Sequence, residues 1–237
     1  MQSSRVLYDT EASQASFDIK ILYENSVIKE GFLSGYGLSI LIYNHFTENY
    51  ILFDTGSKGE ILLNNIKQFE LSPSDIKKVV ISHNHREHIG GLDELYKANK
   101  DIEIYIPIEN KITYQRKYND AKIIGVSEFN EIDTNINSTG QLGTYLKEQA
   151  LFLKTIDNEI IILVGCSHPG LDEIIAKANA IASVKAVIGG FHNLRNFTCL
   201  QNIKFIGACH CTQFLDLIIE RFPEQYSSIS AGKSLTF

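Results

Sequence analysis

Apolar residues fall in short runs along this chain, each closed by glycine or polar positions, and the spacing within the runs changes repeatedly. The runs at 17–23, 38–43 and 50–53 are aliphatic or aromatic and predict strands. Between 59 and 69 the apolar positions are Ile61, Leu62, Ile66 and Phe69, close to helical spacing. A buried strand at 77–82 comes next, then a helix opened by Gly90-Gly91 over 92–98 and a strand at 102–106. The second half repeats the rhythm, with a hairpin of 151–154 and 160–164 around Asp157-Asn158. A helix at 171–181 places Ile174, Ile175 and Ala178 on one face, and strands at 186–188 and 204–206 precede a helix at 213–221.

Strands and helices alternating in two halves predict an α/β fold with two sheets back to back and helices outside. No Pro/Gly-rich linker interrupts the chain, so 17–237 reads as one domain, and the weakly patterned residues 1–16 as a loose leader. The segment 111–147 has mixed charge, several Asn and Tyr, and no clear period. A stretch of that length inside a compact domain reads as a lid over a functional site.

A formal charge of -6 and a pI near 5.7 argue against a nucleic-acid or membrane-surface partner, since neither a basic patch nor a Lys/Arg cluster is present. The expected partner is a small-molecule substrate, and a local basic spot still suits a phosphorylated one. The start of the chain lacks a signal-peptide core and the longest aliphatic run, 160–164, is too short to span a bilayer; a cytoplasmic location is expected. Cys166, Cys199, Cys209 and Cys211 all lie in the last third, which is unlike a disulfide framework and points to reduced thiols. Cys209 and Cys211 could bind zinc, but no Cys-x-x-Cys pair supports a four-thiolate site; Cys166 and Cys211 read as packing groups.

The chemistry concentrates at 83–88, His-Asn-His-Arg-Glu-His, directly after the apolar run Val79-Val80-Ile81. Three of the chain's 7 histidines fall in six positions, and imidazole is the commonest metal ligand. In an extended segment His83 and His85 point to the same side and can share an ion, while Glu87 and His88 turn toward a second position. His168, His192 and His210 also follow strands, in Gly165-Cys166-Ser167-His168-Pro169-Gly170, Gly189-Gly190-Phe191-His192 and Cys209-His210-Cys211-Thr212. His45 alone stands apart and reads as a surface residue.

With these motifs in this order, the chain resembles the metallo-β-lactamase superfamily, whose signature is His-x-His-x-Asp-His after a buried strand. Leu52-Phe53-Asp54-Thr55-Gly56 is similar to the superfamily's early Asp motif, and the resemblance covers nearly all of 17–237. Within the superfamily it looks closest to the branch containing the archaeal dihydropterin–aminobenzene ribosyl-phosphate synthases, through Glu24-Asn25-Ser26, Gly37-Leu38-Ser39, the His168, His192 and His210 motifs and Ser230-Ala231-Gly232.

The resemblance implies an αββα four-layer sandwich and two divalent metal ions. His83, His85 and His168 would hold the first ion, Glu87, His88 and His210 the second, and Asp54 would orient a ligand imidazole from behind. Zn is the default for so many imidazoles, with Fe and Mn accepting the same donors. Glu87 replaces the signature's aspartate, and no carboxylate follows the strand at 186–188 to bridge the metals, so the second site is expected to bind more weakly.

The leading functional reading is a metal-dependent hydrolase using a metal-activated water on a small ester, lactone, amide or phosphoester. Glu87 would orient the water and His192 would donate a proton to the leaving group. One alternative is a transferase condensing a pterin methyl diphosphate with an aromatic ribosyl phosphate. Arg86, Lys111, Arg116, Lys117 and Lys233 are its candidate anion-binding cations, and Tyr105, Tyr114 and Tyr118 its candidate ring-stacking residues. The other alternative is a catalytically inactive binding protein on the same fold.

Overall fold

The computed structural model describes residues 15–237, so most of the leader expected at 1–16 lies outside the described residues. Ser16 is tied on three sides. Its amide donates to the Phe237 carbonyl at 2.6 Å, its carbonyl accepts from the His45 amide, and its Oγ accepts from the Ile156 amide.

The strands are β1 (Phe17–Tyr23), β2 (Ser39–Asn44), β3 (Asn49–Phe53), β4 (Ile76–Val80), β5 (Glu103–Pro107), β6 (Lys122–Val126), β7 (Asn130–Asp133), β8 (Ile136–Ser138), β9 (Leu151–Lys154), β10 (Ile160–Val164), β11 (Val184–Gly190), β12 (Phe205–Cys209) and β13 (Ser234–Thr236). One sheet has the order β13-β1-β2-β3-β4-β5-β6, and the other β12-β11-β10-β9-β8-β7. The helices are α1 (Gly59–Gln68), α2 (Arg86–Ile89), α3 (Leu92–Ala98), α4 (Lys111–Lys117), α5 (Leu171–Asn179) and α6 (Leu215–Arg221).

Side-chain alternation builds the layers. In β3, Ile51 and Phe53 face the middle of the molecule while Leu52 faces out; in β10, Ile161 and Leu163 face in while Ile160, Ile162 and Val164 face out. The inward set packs Ile19, Ile40, Ile51 and Phe53 of one sheet against Leu153, Ile161, Leu163 and Ile188 of the other. Outside the first sheet, Leu52, Val79 and Ile104 meet Leu62 and Ile66 of α1, Leu92 and Leu95 of α3, and Tyr114 of α4. Outside the second, Ile162 and Val187 meet Ile174, Ile175 and Ala178 of α5 and Ile218 of α6. This is an αββα four-layer sandwich. Because both faces of the central strands are covered, β10 reads as an unbroken apolar run.

The segment 111–147 is largely regular: it holds α4, the edge strand β6 of the first sheet, and β7 and β8 at the edge of the second, while its end, 143–146, lines a cavity with His168 and Pro169. Edge strands are short and half-exposed, as the alternating burial of Lys122–Val126 shows, so their apolar positions are too sparse to set a period. Tyr105, Tyr114 and Tyr118 are core residues and not ring platforms. Tyr114, on α4, and Tyr118, just after it, pack in the outer cluster with Leu92 and Leu95 of α3, their hydroxyls donating to Asn84 and Asp93.

Strands β3 to β6 run parallel, as do β10 to β12. Each parallel set leaves loops at the carboxyl ends of its strands, and such ends are where α/β sheets place ligands. Asp54 follows β3, His83 follows β4, His168 follows β10, His192 follows β11 and His210 follows β12.

Leu163 is fully buried between the sheets, so Leu163→Ala should cost about 2–5 kcal/mol of stability in denaturant unfolding. A loss within experimental error would contradict the inter-sheet packing.

Candidate metal centre

The strand β4 delivers the first histidines. After Val80 the chain stays extended through Ser82 and His83, and His85 begins the short α2 that carries Glu87 and His88. The turn is anchored from the outside: Leu38 donates its amide to the Glu87 carbonyl, and the Thr55 amide and hydroxyl donate to the His88 carbonyl. Gly37 leaves room for this approach, since a Cβ there would lie 2.6 Å from the Glu87 carbonyl oxygen at a φ of +150°.

Asp54 sits fully buried beneath the histidine turn. It accepts from the Ser82 amide and hydroxyl, both at 2.7 Å, and its Oδ2 lies 2.7 Å from His88 Nδ1. Because the Ser82 hydroxyl is committed to Asp54, it accepts from His83 Nδ1 at 2.9 Å. One carboxylate thereby accepts from His88 Nδ1 directly and orders His83 Nδ1 through the Ser82 hydroxyl, which turns both Nε2 atoms toward the cleft. Burial opposes charge on His88, but Asp54 outweighs it and raises that pKa; Asp54's own pKa is raised by burial.

Glu148 does the same for His168, and nothing in the sequence pattern singled it out. It is 1 % exposed; its Oε1 accepts from the Cys166 and Ser167 amides, and its Oε2 from the His168 amide and Nδ1 at 2.9 and 2.8 Å. Burial works to raise its pKa, but the His168 hydrogen bond and the nearby His83 lower it to about 2. His168 Nε2 is left facing the cleft. Glu24 and Asn25 fix the last histidine: Glu24 accepts from the His210 amide at 2.9 Å, while Asn25 donates to its carbonyl at 2.8 Å. The Glu24-Asn25-Ser26 motif was visible in the sequence, but its partner nearly two hundred positions away was not.

The rings converge. His83 lies 4.6 Å from His85 and 4.7 Å from His168 between centroids, with His85 and His168 5.2 Å apart. His88 lies 4.3 Å from His83 and 5.0 Å from His210. Two sets of donor atoms fall within 4.8 Å of one another, His83 with Cys166 and His168, and His88 with Cys166 and His210. Glu87 belongs to neither set; its Oε1 is 3.8 Å from His85 Nδ1, at the rim. Cys166 belongs to both. Its Sγ is 3.2 Å from His88 Nε2.

These residues fit divalent ions. His210 Nε2 is buried without a hydrogen-bond partner, and burial lowers the pKa of His83 to about 2 and of His210 to about 3, so both are neutral imidazoles at physiological pH. Neutral imidazole is the ligating form. His192 stands beside His168, 5.1 Å between centroids, and its Nδ1 is also buried and unpartnered. It opens onto a cavity of ≈ 270 Å³ lined by Ser167, His168, Asn193, Arg195 and Asn196. Arg195, whose guanidinium also lies 5.5 Å from the Phe214 ring centroid, is a cation lining this cavity. Lys117 is paired with Asp93 at 2.7 Å, and Lys233 is bonded to Ser227 and Ser228.

The metallo-β-lactamase superfamily model matches residues 34–145, the segment that carries Asp54 and the histidine turn. That match and the four-layer fold make the chain similar to the metallo-β-lactamase superfamily. It is also similar to 7,8-dihydropterin-6-methyl-4-(β-D-ribofuranosyl)-aminobenzene-5'-phosphate synthase of Methanocaldococcus jannaschii, at 29% identity over 268 residues covering 87% of this chain and 91% of the relative. A second, uncharacterized protein of that organism is 29% identical over 207 residues, covering 73% of this chain and 78% of the relative. Among solved structures, a metal-dependent hydrolase of the β-lactamase superfamily superposes with a TM-score of 0.77 at 23% identity, covering 92% of this chain and 98% of that one. A diphosphatase from the PhnP family gives 0.64 at 12% identity, covering 93% and 97%. Among the described residues, no helix is long and apolar enough to cross a membrane.

The histidine pKa shifts set a pH dependence for the metal-free protein. His83 and His210 have folded pKa values below the ordinary 6.5, so the unfolded chain binds more protons as pH falls, and stability present above 6.5 is lost on acidification. Glu148 adds to the loss below 4.5, while His88, whose pKa is raised, opposes it. Denaturant midpoints of chelator-treated protein should fall between pH 7.5 and pH 5.5; a midpoint that rose on acidification would contradict the buried neutral histidines.

Proposed function

We propose that this chain is a metal-dependent hydrolase of a small phosphate-bearing ester. The reading is carried by one observation: imidazoles from both sheets converge at the strand ends, with His88 and His168 held from behind by two buried carboxylates, Asp54 and Glu148, and His83 by Asp54 through Ser82. His83, His85 and His168 would hold one ion, and His88 and His210 a second. Divalent ions there would supply Lewis acidity to a phosphoryl or carbonyl oxygen and make water nucleophilic near neutral pH.

The chain's own residues supply the rest. Glu87, beside His85 at the rim, orients the attacking water and takes its proton. His192, at the boundary between the histidines and the cavity, is placed to hydrogen-bond the leaving oxygen and deliver a proton to it. Arg195 lines the same cavity with Asn193 and Asn196, which together offer donors to a phosphate. Asp172, Leu171 and Leu194 line the rest of the wall, so the donors Arg195, Asn193 and Asn196 are what favour a phosphorylated substrate over a neutral lactone.

A transferase is the second reading, favoured by the synthase relative, which aligns over nearly the full length of both proteins. Condensation of a pterin methyl diphosphate with an aromatic ribosyl phosphate needs anion donors and a flat surface. Tyr36, 59% exposed with its ring 4.9 Å from His210, supplies such a surface at the edge of the centre.

The two readings part on one experiment. Protein with measured metal content is given phosphoesters and a pterin methyl diphosphate, with and without an aromatic amine acceptor. Turnover by water alone supports the hydrolase; diphosphate release that requires the acceptor supports the transferase; no turnover of either kind by metal-loaded protein would overturn both. For the substrate that turns over, Glu87→Gln should lower kcat by at least about a hundredfold. Arg195→Ala should raise KM about tenfold or more with a smaller change in kcat, as expected for a charged hydrogen bond to phosphate.

A further inference from the structure

Two dications held side by side need an anion between them, and the loop after β11, Gly189-Gly190-Phe191-His192, offers no carboxylate. The atom that lies between the two histidine groups is the Cys166 sulfur. We propose that Cys166 is a thiolate ligand shared by both metal positions, filling the place of the missing bridging carboxylate. The proposal rests on the reading of this centre as a metal site and adds its ligand set.

Four observations carry it. The Cys166 side chain is common to both donor sets, His83 with His168 on one side and His88 with His210 on the other. The residue is 2% exposed and its backbone is pinned at both ends, the amide donating to Glu148 at 2.9 Å and the carbonyl accepting from the His192 amide at 3.1 Å. That frame fixes the Cα–Cβ direction from which the sulfur reaches the histidines. His210 Nε2, in the second set, is buried with no partner in the protein. Finally, Gly190 makes the space on this side: a Cβ there would lie 2.6 Å from Cys211 Sγ and 3.3 Å from the Cys166 Cα.

The chemistry follows from the donor. When an ion binds, the Cys166 S–H bond breaks, its proton passes to solvent, and the sulfur lone pair forms the bond to the metal. A thiolate contributes one negative charge between the ions and a soft donor, which biases the centre toward zinc or cobalt over magnesium, calcium or manganese. Sharing one ligand also couples the positions, so the second ion is not held by imidazoles alone.

Cobalt(II)-substituted protein tests this without reference to turnover. The wild type should show a near-ultraviolet sulfur-to-cobalt charge-transfer band, which Cys166→Ser abolishes and Cys199→Ser and Cys209→Ser retain. Metal analysis should show Cys166→Ser losing about one equivalent of cobalt, and Cys166→Asp restoring that metal without the band. Two bound cobalt ions with no charge-transfer band in the wild type would overturn the proposal and leave the hydrolase reading standing. A band that survives in Cys166→Ser would equally overturn it by assigning the sulfur elsewhere. Failure of the wild type to bind any divalent ion would defeat the metal reading itself, a distinguishable result.

Discussion

A single buried carboxylate, Asp54, is the constraint on which the centre depends. It has no exposure to water, and each of its contacts is a donor whose geometry matters elsewhere: the Ser82 amide holds the strand end, the Ser82 hydroxyl turns His83, and His88 Nδ1 is bonded directly. An isolated carboxylate at such depth costs several kcal/mol, and a set of charge-assisted hydrogen bonds offsets that cost. The result is that His83 and His88, in different halves of the centre, take their tautomers from the same group. Loss of Asp54 would release both together.

Glu148 repeats the arrangement from the opposite sheet. It gathers the Cys166, Ser167 and His168 amides and His168 Nδ1, so the loop after β10 is folded around it. Three non-glycine residues of these loops sit in the left-handed region: Asp54 at φ 59°, Ser167 at 57° and His210 at 52°. Each such position costs on the order of 1 kcal/mol or more, and such strain persists where the surroundings over-determine the backbone. Here they do. Asp54 donates its amide to the Val80 carbonyl, Ser167 bonds Glu148 and two carbonyls, and His210 is held by Glu24 and Asn25. The rigid sheets set where the loops begin, and the carboxylates set where the imidazoles end.

The fold was legible where a strand is covered on both faces. The runs ending at Phe53, Val80 and Val164 are uninterrupted aliphatic or aromatic stretches, and their ends are where Asp54, His83 and His168 stand. It was illegible at the sheet edges, where β6, β7 and β8 carry too few apolar residues to distinguish pairing from an irregular segment. The six histidines of the site were recoverable because imidazole is uncommon and clustered. Glu148 was not, because one acid among 28 acidic residues has no local signature and acquires its role only when the β9 side of the sheet meets the loop after β10. The place of Cys166 has no signature in its motif, since its shared position between two imidazole groups exists only in three dimensions.

The division between scaffold and wall also lets the same histidines serve either proposed reading, hydrolase or transferase. Everything derived from Asp54 and Glu148 concerns orientation of ligands, and oriented imidazoles serve water attack and diphosphate displacement alike. What differs between those reactions is what stands on the far side of the reacting atom. In this chain that side is bounded by the His192–Arg195 cavity at one end and by the exposed ring of Tyr36 at the other. The first favours an anion, the second a flat ring, and they flank the histidines from opposite loops: Tyr36 from the loop before β2, Arg195 from the loop after β11. A substrate that engaged both would have to carry its phosphate and its ring on either side of the bond presented to the histidines. A substrate engaging only the cavity would leave Tyr36 free and water able to approach past it. The choice between transfer and hydrolysis is therefore a question of whether the Tyr36 side of the centre is filled when the leaving group departs.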